Sequence, residues 1–145
     1  MNKRGGFTMM SMLFILVALA ALGAALAALS QRQQLGSAGE LAAAKAYQAA
    51  SAGLEWASFQ QLRPAAAPAC FANISIALPD QLSDFTVTVS CNRSAATDGD
   101  TSLVFYEFIA TACNIPSSGA CPGAGTPQPT YAERQLLRTL SRRVP

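Results

Sequence analysis

The chain of 145 residues is long enough for one domain, or for one domain with an extension, and excludes two large domains. Its composition is 51% apolar but only 12% charged, about half the roughly 25% of a typical soluble domain, which indicates a segment meant for lipid or for a protein interior. The chain has no histidine, so the commonest general base and the commonest zinc ligand are missing. Most hydrolases and metalloenzymes are thereby disfavoured. We predict no enzyme activity, no cofactor, and no catalytic, cofactor-binding or metal-binding residue.

The charges are unevenly distributed. Ten Lys and Arg residues outnumber eight Asp and Glu residues, and no charge lies between Arg4 and Arg32. Residues 64–132 are acidic, whereas the tail from Glu133 onward carries four arginines. A basic tail without clustered aromatic residues is a weak match to a nucleic-acid-binding element, so no nucleic-acid partner is predicted. A solvated end, or a strand edge protected by charge, is favoured.

Residues 5–29, GGFTMMSMLFILVALAALGAALAAL, contain only Thr8 and Ser11 as polar residues. About 20 apolar residues in a helix cross the ~30 Å core of a bilayer. The run is too long for the apolar core of a cleaved secretory signal. Because Lys3 and Arg4 precede it, the positive-inside rule predicts a cytoplasmic N-terminus. We therefore predict a single-pass inner-membrane protein with lipid around this segment and the C-terminal part in the periplasm.

The residues before the apolar run decide between an ordinary signal anchor and another kind of leader. The first six residues, MNKRGG, end in Gly6 and are followed by Phe7 and the apolar run. This arrangement resembles the prepilin pattern, in which a peptidase on the cytoplasmic side cuts after the glycine and methylates the new N-terminal Phe. The resemblance implies cleavage between Gly6 and Phe7, with loss of residues 1–6 and retention of the apolar half of the helix, residues 7–29.

The fifth residue of the predicted mature chain departs from that pattern. Typical prepilins carry Glu there, whereas this chain has Ser11. In that family the carboxylate is thought to pair with the free amine of a neighbouring subunit inside an apolar filament core. Serine supplies no charge, and an unpaired ammonium in such surroundings is costly. This missing-glutamate position suits a subunit at a filament tip or one that primes assembly.

Residues 30–63 are rich in strong helix formers and predict an amphipathic continuation of the helix, with a stop at Arg63 before Pro64. Gly36 and Gly39 predict a flexible joint. An apolar stripe at spacings of three and four residues predicts a face that packs against the following sheet: Tyr47, Ala50, Leu54 and Ala57.

The remaining residues, 64–145, predict a small exported β-domain. Residues 71–78, 85–91 and 103–113 are rich in β-branched and aromatic residues, and a turn at 79–80 and a polar loop at 95–100 favour an antiparallel meander. The loop contains Asp98 and Asp100, which predict a turn rather than a calcium site because further ligands are missing. Residues 115–129 form a Pro/Gly-rich loop. Residues 131–144 fit either a helix or a strand, and a final strand is favoured.

Four cysteines, Cys70, Cys91, Cys113 and Cys121, all follow the apolar run and allow three pairings. An exported position favours disulfides over thiols, and the spacing argues against a four-cysteine zinc site because no C-x-x-C pair is present. The pairing Cys70–Cys91 and Cys113–Cys121 is preferred, since the first joins neighbouring strand ends and the second closes the Pro/Gly-rich loop.

The whole pattern resembles the MSHA pilus biogenesis protein MshP family of minor type IV pilin-like proteins. The stretches that carry the resemblance are RGGFTMMSMLFILVALAALGA, AKAYQAASAGLEWA, FTVTVSC, and ATACNIPSSGACP followed by TYAERQL. It implies a pilin-like α+β fold, with a long N-terminal membrane-spanning helix packed on a small antiparallel β-sheet with disulfides, and supports a final strand from Tyr131 onward.

The resemblance also implies a function. It is that of a structural or assembly component of an MSHA-type pilus, priming assembly or sitting at the tip at the cell surface. The implied partners are other minor and major pilins, the prepilin peptidase and the inner-membrane assembly platform. The alternatives are a minor pseudopilin of a type II secretion system and a membrane-anchored periplasmic binding module.

Overall fold

The computed structural model describes residues 5–64, 66–123, 128 and 130–144. One helix and four strands make up its regular structure, together with a short 3₁₀ helix at Asp80–Leu82. The elements are α1 (Gly5–Leu62), β1 (Ile74–Ala77), β2 (Thr86–Asp98), β3 (Thr101–Cys113) and β4 (Glu133–Val144). An α+β fold with an antiparallel sheet and two disulfides is therefore confirmed. Contacts divide the chain into two compact units, Met1–Ala38 and Gly39–Pro145, each described by itself below.

The first unit contains the apolar part of α1. The large apolar side chains from Met9 to Leu29 are 53% to 76% exposed, although they include some of the most hydrophobic residues of the chain. Apolar residues occur all round this part of the helix, so no single face is marked for a protein core. Among the described helices, α1 is long and apolar enough to cross a membrane, by length and composition.

The second unit is built on a four-stranded antiparallel sheet in the order β1-β2-β3-β4. Each strand pairs with the next along the chain, as Val89↔Ala110 and Ala110↔Leu136 illustrate. The predicted meander is confirmed, and the choice of a strand over a helix for the last segment is also confirmed because β4 pairs with β3 along its whole length.

The strand boundaries differ most from the prediction in β1 and β2. β1 is shorter than residues 71–78, and β2 runs on to Asp98, so the predicted polar loop at 95–100 is wrong. Only Gly99 and Asp100 connect β2 to β3, and Gly99 has φ +59°, a conformation that glycine adopts readily at the first position of a two-residue hairpin turn. The last residues of β2 pair with β3 but are exposed, so no alternation of apolar and polar residues marks them as a strand.

Residues 39–62 of α1 cover one face of the sheet with small side chains. The buried apolar side chains of the helix recur at helical spacing and belong to one core cluster with Val87, Val89 and the alternating residues of β3. They are Ala46, Ala49, Ala50, Leu54 and Ala57. The prediction that Tyr47 belongs to the buried stripe is wrong, because Tyr47 is 55% exposed and Ala46 occupies that turn of the stripe.

Gly53 sets the closest approach of the helix to the sheet. A Cβ atom at this position would lie 2.6 Å from Cγ1 of Val87 and 3.1 Å from Cγ2 of Val89. Such distances are shorter than van der Waals contact, so any larger residue would push the helix and the sheet apart.

Near the C-terminal end of α1, the core is closed by aromatic rings and by the loop between α1 and β1. Phe71 lies between Trp56 and Phe108, with ring centroids 5.0 Å and 6.3 Å away. Tyr106 is fully buried, and its hydroxyl donates a 2.6 Å hydrogen bond to the carbonyl of Pro68. The loop between α1 and β1 is thereby attached to the centre of the sheet.

Candidate functional site

The predicted cleavage position lies at the start of α1. Gly6 and Phe7 both lie within the helix, which begins at Gly5, and the rest of the predicted leader, residues 1–4, lies outside the described residues, as does the side chain of Phe7. Ser11 lies in the same helix and is exposed among exposed apolar neighbours such as Met10 and Met12. Ser11 therefore lies on the exposed surface of the helix, with no buried residue among the described side chains of this unit.

All four cysteines form disulfides, in the pairing preferred from the sequence. Cys70 is bonded to Cys91 and Cys113 to Cys121, with Cα–Cα distances of 5.6 Å and 5.8 Å, and no free cysteine remains. The first bridge connects the loop after α1 to the middle of β2. The second joins the end of β3 to the Pro/Gly-rich loop, and both of its cysteines are buried.

The second bridge seats the Pro/Gly-rich loop on the sheet face that points away from α1. The backbone N–H of Cys121 donates a 2.7 Å hydrogen bond to Oγ1 of Thr88. At the base of the loop, the side chain of Asn114 donates to the carbonyl of Thr130 and accepts from the N–H of Ala132. Side chains and a disulfide thus order the described part of a segment whose composition predicts no regular element.

A tyrosine next to β4 completes the attachment of this loop. The hydroxyl of Tyr131 donates a hydrogen bond to the carboxylate of Glu133 and accepts one, 2.9 Å long, from the N–H of Gly123. Burial and then the hydrogen bond to Glu133 raise the pKa of Tyr131, and the bond from Gly123 opposes them. The protonated hydroxyl is therefore the form that the fold favours.

Two arginines of β4 hold the C-terminal part of α1. Arg138 lies 2.8 Å from a carboxylate oxygen of Glu55 and donates a 3.3 Å hydrogen bond to Oγ of Ser58. Arg142 donates a 3.0 Å hydrogen bond to the main-chain carbonyl of Gln61. The last carbonyls of a helix have no partner within it and carry the negative end of its dipole, so a guanidinium is well suited to this place.

These contacts were not predicted from the sequence, because arginines in a basic tail are usually solvated. Arg138 and Arg142 alternate with Leu136, Leu140 and Val144, and all five lie on the face of β4 that points to α1. The alternation of residues with a period of two does indicate a strand. It is hard to recognise because arginines occupy inward positions, where apolar residues are expected. These arginines are accommodated because their long side chains extend beyond the core to its edge.

A shallow cavity lies on the helix-facing side of the β2–β3 hairpin. Its volume is about 390 Å³, and its lining carries one charged side chain, that of Arg93. The other lining residues are Ala95, Ala96, Thr97, Ser102, Leu103, Val104 and Val144. The polar side chains of this lining are the guanidinium of Arg93 and the hydroxyls of Thr97 and Ser102.

The predicted turn at Asp98 and Asp100 is present as the end of β2 and the two-residue connection. Within residues 5–64, 66–123, 128 and 130–144, no group of three or more His, Cys, Asp or Glu side chains is placed to hold a metal ion. The cysteine sulfurs are all oxidised in bridges and have no thiolate to offer.

A scan against protein-family models and searches of curated proteins and of solved structures find no match to this chain. The features of this chain that bear on its function are a long apolar helix and a small disulfide-bonded sheet.

Proposed function

We propose that this protein is a pilin-like structural subunit, held in the inner membrane by α1 and carrying a disulfide-bonded domain in the periplasm, without catalytic activity of its own. The observation that carries the proposal is the combination within α1. The helix joins an exposed, uncharged apolar segment from Met9 to Leu29 with a segment that packs on an antiparallel sheet. The first suits lipid or a filament interior, and the second fixes a small domain to the same helix.

Within that class, we propose a minor component of an MSHA-type type IV pilus that primes assembly or sits at the tip. The resemblance of the leader, of the segment around Trp56 and of both cysteine regions to the MshP family supports this choice. Other pilins, the prepilin peptidase and the inner-membrane assembly platform are the proposed partners.

The experiment that tests the class is mass spectrometry of the natural N-terminus. In cells with active prepilin peptidase, the mature chain should begin at Phe7 with a methylated amine. Gly6→Arg should abolish cleavage because a large cation replaces the small residue at the cut. Gly5→Ala serves as the matched control and should be processed normally. A wild-type protein that keeps residues 1–6 would contradict the proposal.

A second experiment tests the position in the filament. If Ser11 excludes the protein from the repeating shaft, immunogold labelling of sheared pili should find it near one end, and deletion of the protein should lower the number of pili. Ser11→Glu offers a carboxylate to a neighbour's amine and should increase labelling along the shaft. Uniform labelling by the wild-type protein would rule out the tip position.

Two alternatives lead to different observations. A minor pseudopilin of a type II secretion system would show the same processing, but its gene would lie among secretion genes rather than pilus genes. A membrane-anchored periplasmic binding module unrelated to filaments would keep its first six residues.

A further inference from the structure

The outer edge of β4 is a long strand edge that no other described strand pairs with. β4 is the last strand of the sheet, so one side of its backbone pairs with β3, from Ser102↔Val144 to Cys113↔Glu133, and the other side has no neighbouring strand within the described part of the chain. Among the described residues, no backbone hydrogen bond from a loop reaches this side. The 12 residues of β4 contain neither proline nor glycine, and their register is unbroken. Of the usual devices that block strand addition, only charge is present.

The opposite side of the sheet is better protected. β1 pairs with the first residues of β2, up to Val89. At Cys91 the bridge from Cys70 holds the preceding loop against β2, and Phe71 packs on the core. Residues 92–98 of β2 pair with β3 alone among the described residues, so they leave a shorter open edge than the 12 residues of β4.

The charge of β4 determines which kind of strand can bind at its outer edge. β4 carries Glu133 and four arginines. Arg138 and Arg142 contact α1, whereas Arg134 and Arg143 are exposed at the two ends of the strand. Two copies of β4 placed edge to edge would bring arginines together, which is unfavourable. An acidic segment would instead be attracted.

Leu137, which lies between Arg134 and Arg143 along β4, favours an apolar residue in any strand that binds this edge. Its side chain is 60% exposed on the face that points away from α1, and it has a cross-strand neighbour, Ile109, on one side only. Cross-strand pairs on one face contribute to sheet stability, so an apolar residue on the other side of Leu137 would be favoured.

We propose that the outer edge of β4 binds an extended acidic segment of a partner protein, which adds to the sheet as a fifth, antiparallel strand. Main-chain hydrogen bonds supply the attachment. Carboxylates opposite Arg134 and Arg143 and an apolar residue opposite Leu137 supply the register and the selectivity. The inference concerns the second unit alone and goes beyond the proposed pilus function, so it stands or fails independently of N-terminal processing.

The test uses the full chain in detergent micelles and a fluorescein-labelled peptide of twelve residues. The peptide consists of Thr and Val, with Val opposite Leu137 and Glu opposite Arg134 and Arg143 in the antiparallel register. Fluorescence anisotropy should show saturable binding that weakens with salt, and a version with Lys in place of Glu should bind about tenfold more weakly.

The charge-reversed protein Arg134→Glu/Arg143→Glu should exchange these preferences and bind the Lys peptide better. Both positions are exposed, and an unchanged Trp56 emission spectrum would show that the variant is folded. Arg93→Glu, which reverses an exposed arginine of β2, is the matched control and should leave binding of the Glu peptide unchanged. Hydrogen exchange of the β4 amides should slow when the Glu peptide is bound.

Three results would overturn the proposal. They are equal binding of the Glu and Lys peptides, equal loss in the Arg93→Glu control, and self-association of the chain through β4 without any binding of the peptide.

Discussion

Two stretches of α1 are both rich in alanine but have different surroundings. Residues 9–29 are rich in Ala and Leu and are exposed throughout, whereas the stretch that follows Gly39 is also rich in Ala and buries Ala46, Ala50 and Ala57 completely. The stretches differ in polar content and in the periodicity of their apolar residues. In the first stretch apolar residues occupy every face of the helix, whereas in the second they recur on one face between polar residues such as Gln48 and Glu55.

A high apolar content indicates that a helix segment leaves water. The spacing of its apolar residues indicates whether the segment is suited to lipid or to one protein surface. An all-round apolar helix matches the uniform surroundings of lipid, and a one-sided helix matches a single protein surface. If this is correct, changes that destabilise the sheet should affect the stretch after Gly39 and leave the helix of residues 9–29 intact.

Removing the disulfide between Cys70 and Cys91 should have the largest effect. The bridge Cys70–Cys91 closes 21 residues and Cys113–Cys121 closes 8, and the loop-entropy estimate for such bridges is roughly 3 and 2.5 kcal/mol. In Cys70→Ser/Cys91→Ser, guanidinium unfolding followed by Trp56 fluorescence should show about 3 kcal/mol less stability. Far-ultraviolet circular dichroism in detergent should still show the helix of residues 9–29. Loss of both signals together would contradict the separation.

Enlarging a glycine should have the next largest effect, and only in one of the two stretches. Gly53→Val should cost about 2 kcal/mol or more, because even its Cβ would lie 2.6 Å from Val87. Gly23→Val is the matched control, since nothing lies within 4 Å of a Cβ at that position. Equal stabilities of the two variants in the same unfolding experiment would show that the close approach at Gly53 is not limiting.

The ion pair between Arg138 and Glu55 should contribute less. Both side chains are partly exposed, at 39% and 70%, and exposed pairs contribute about 0–1 kcal/mol. A double-mutant cycle with Arg138→Gln and Glu55→Gln should give a coupling energy of about 0.5 kcal/mol that decreases in high salt. A coupling energy near zero at low salt would assign the holding of α1 to Arg142 and the apolar core.

The smallest effect should appear only at alkaline pH. Because the folded state raises the pKa of Tyr131 above 10.0, its contribution to stability is complete below 10.0 and is lost as the pH rises through the folded pKa. Tyr131→Phe should remove this pH dependence. Hydrogen exchange or near-ultraviolet circular dichroism between pH 9 and 11 tests it, and identical profiles for both proteins would exclude a role for the hydroxyl.

The sequence predicted the elements well where side chains alternate between core and solvent. β2 begins close to its predicted place because Val87 and Val89 alternate with threonines. The cysteine pairing was predicted correctly, although Cys91 lies in the middle of β2 and not at its end. The last residues of β2 escaped prediction because both of their faces are exposed. Backbone pairing, which leaves little trace in the sequence, extends that strand to Asp98.

The contacts of long polar side chains were less predictable. Gln61 is 2% exposed, and its amide donates a 3.4 Å hydrogen bond to the carbonyl of Ala69, yet it reads as one of several solvated glutamines at the end of a helix. The exposed position of Tyr47 was not predicted for a related reason. Alanines on both sides of the helix make the buried face hard to distinguish from the exposed face. Such details depend on which face the sheet approaches, and that is decided by residues distant in sequence.

The small residues between α1 and the sheet restrict how this protein can change over time. Alanine and glycine are the smallest residues, so nearly every substitution at Ala46, Ala50 or Gly53 places a larger residue between α1 and the sheet. A larger residue there is tolerated only if the opposite wall recedes. The pair Gly53→Ala with Val87→Ala is such a compensated exchange, because it removes the Cγ1 atom that a new Cβ would meet. Related chains should therefore vary at these positions in matched pairs across the helix and sheet, and a lone enlargement on either side should be rare.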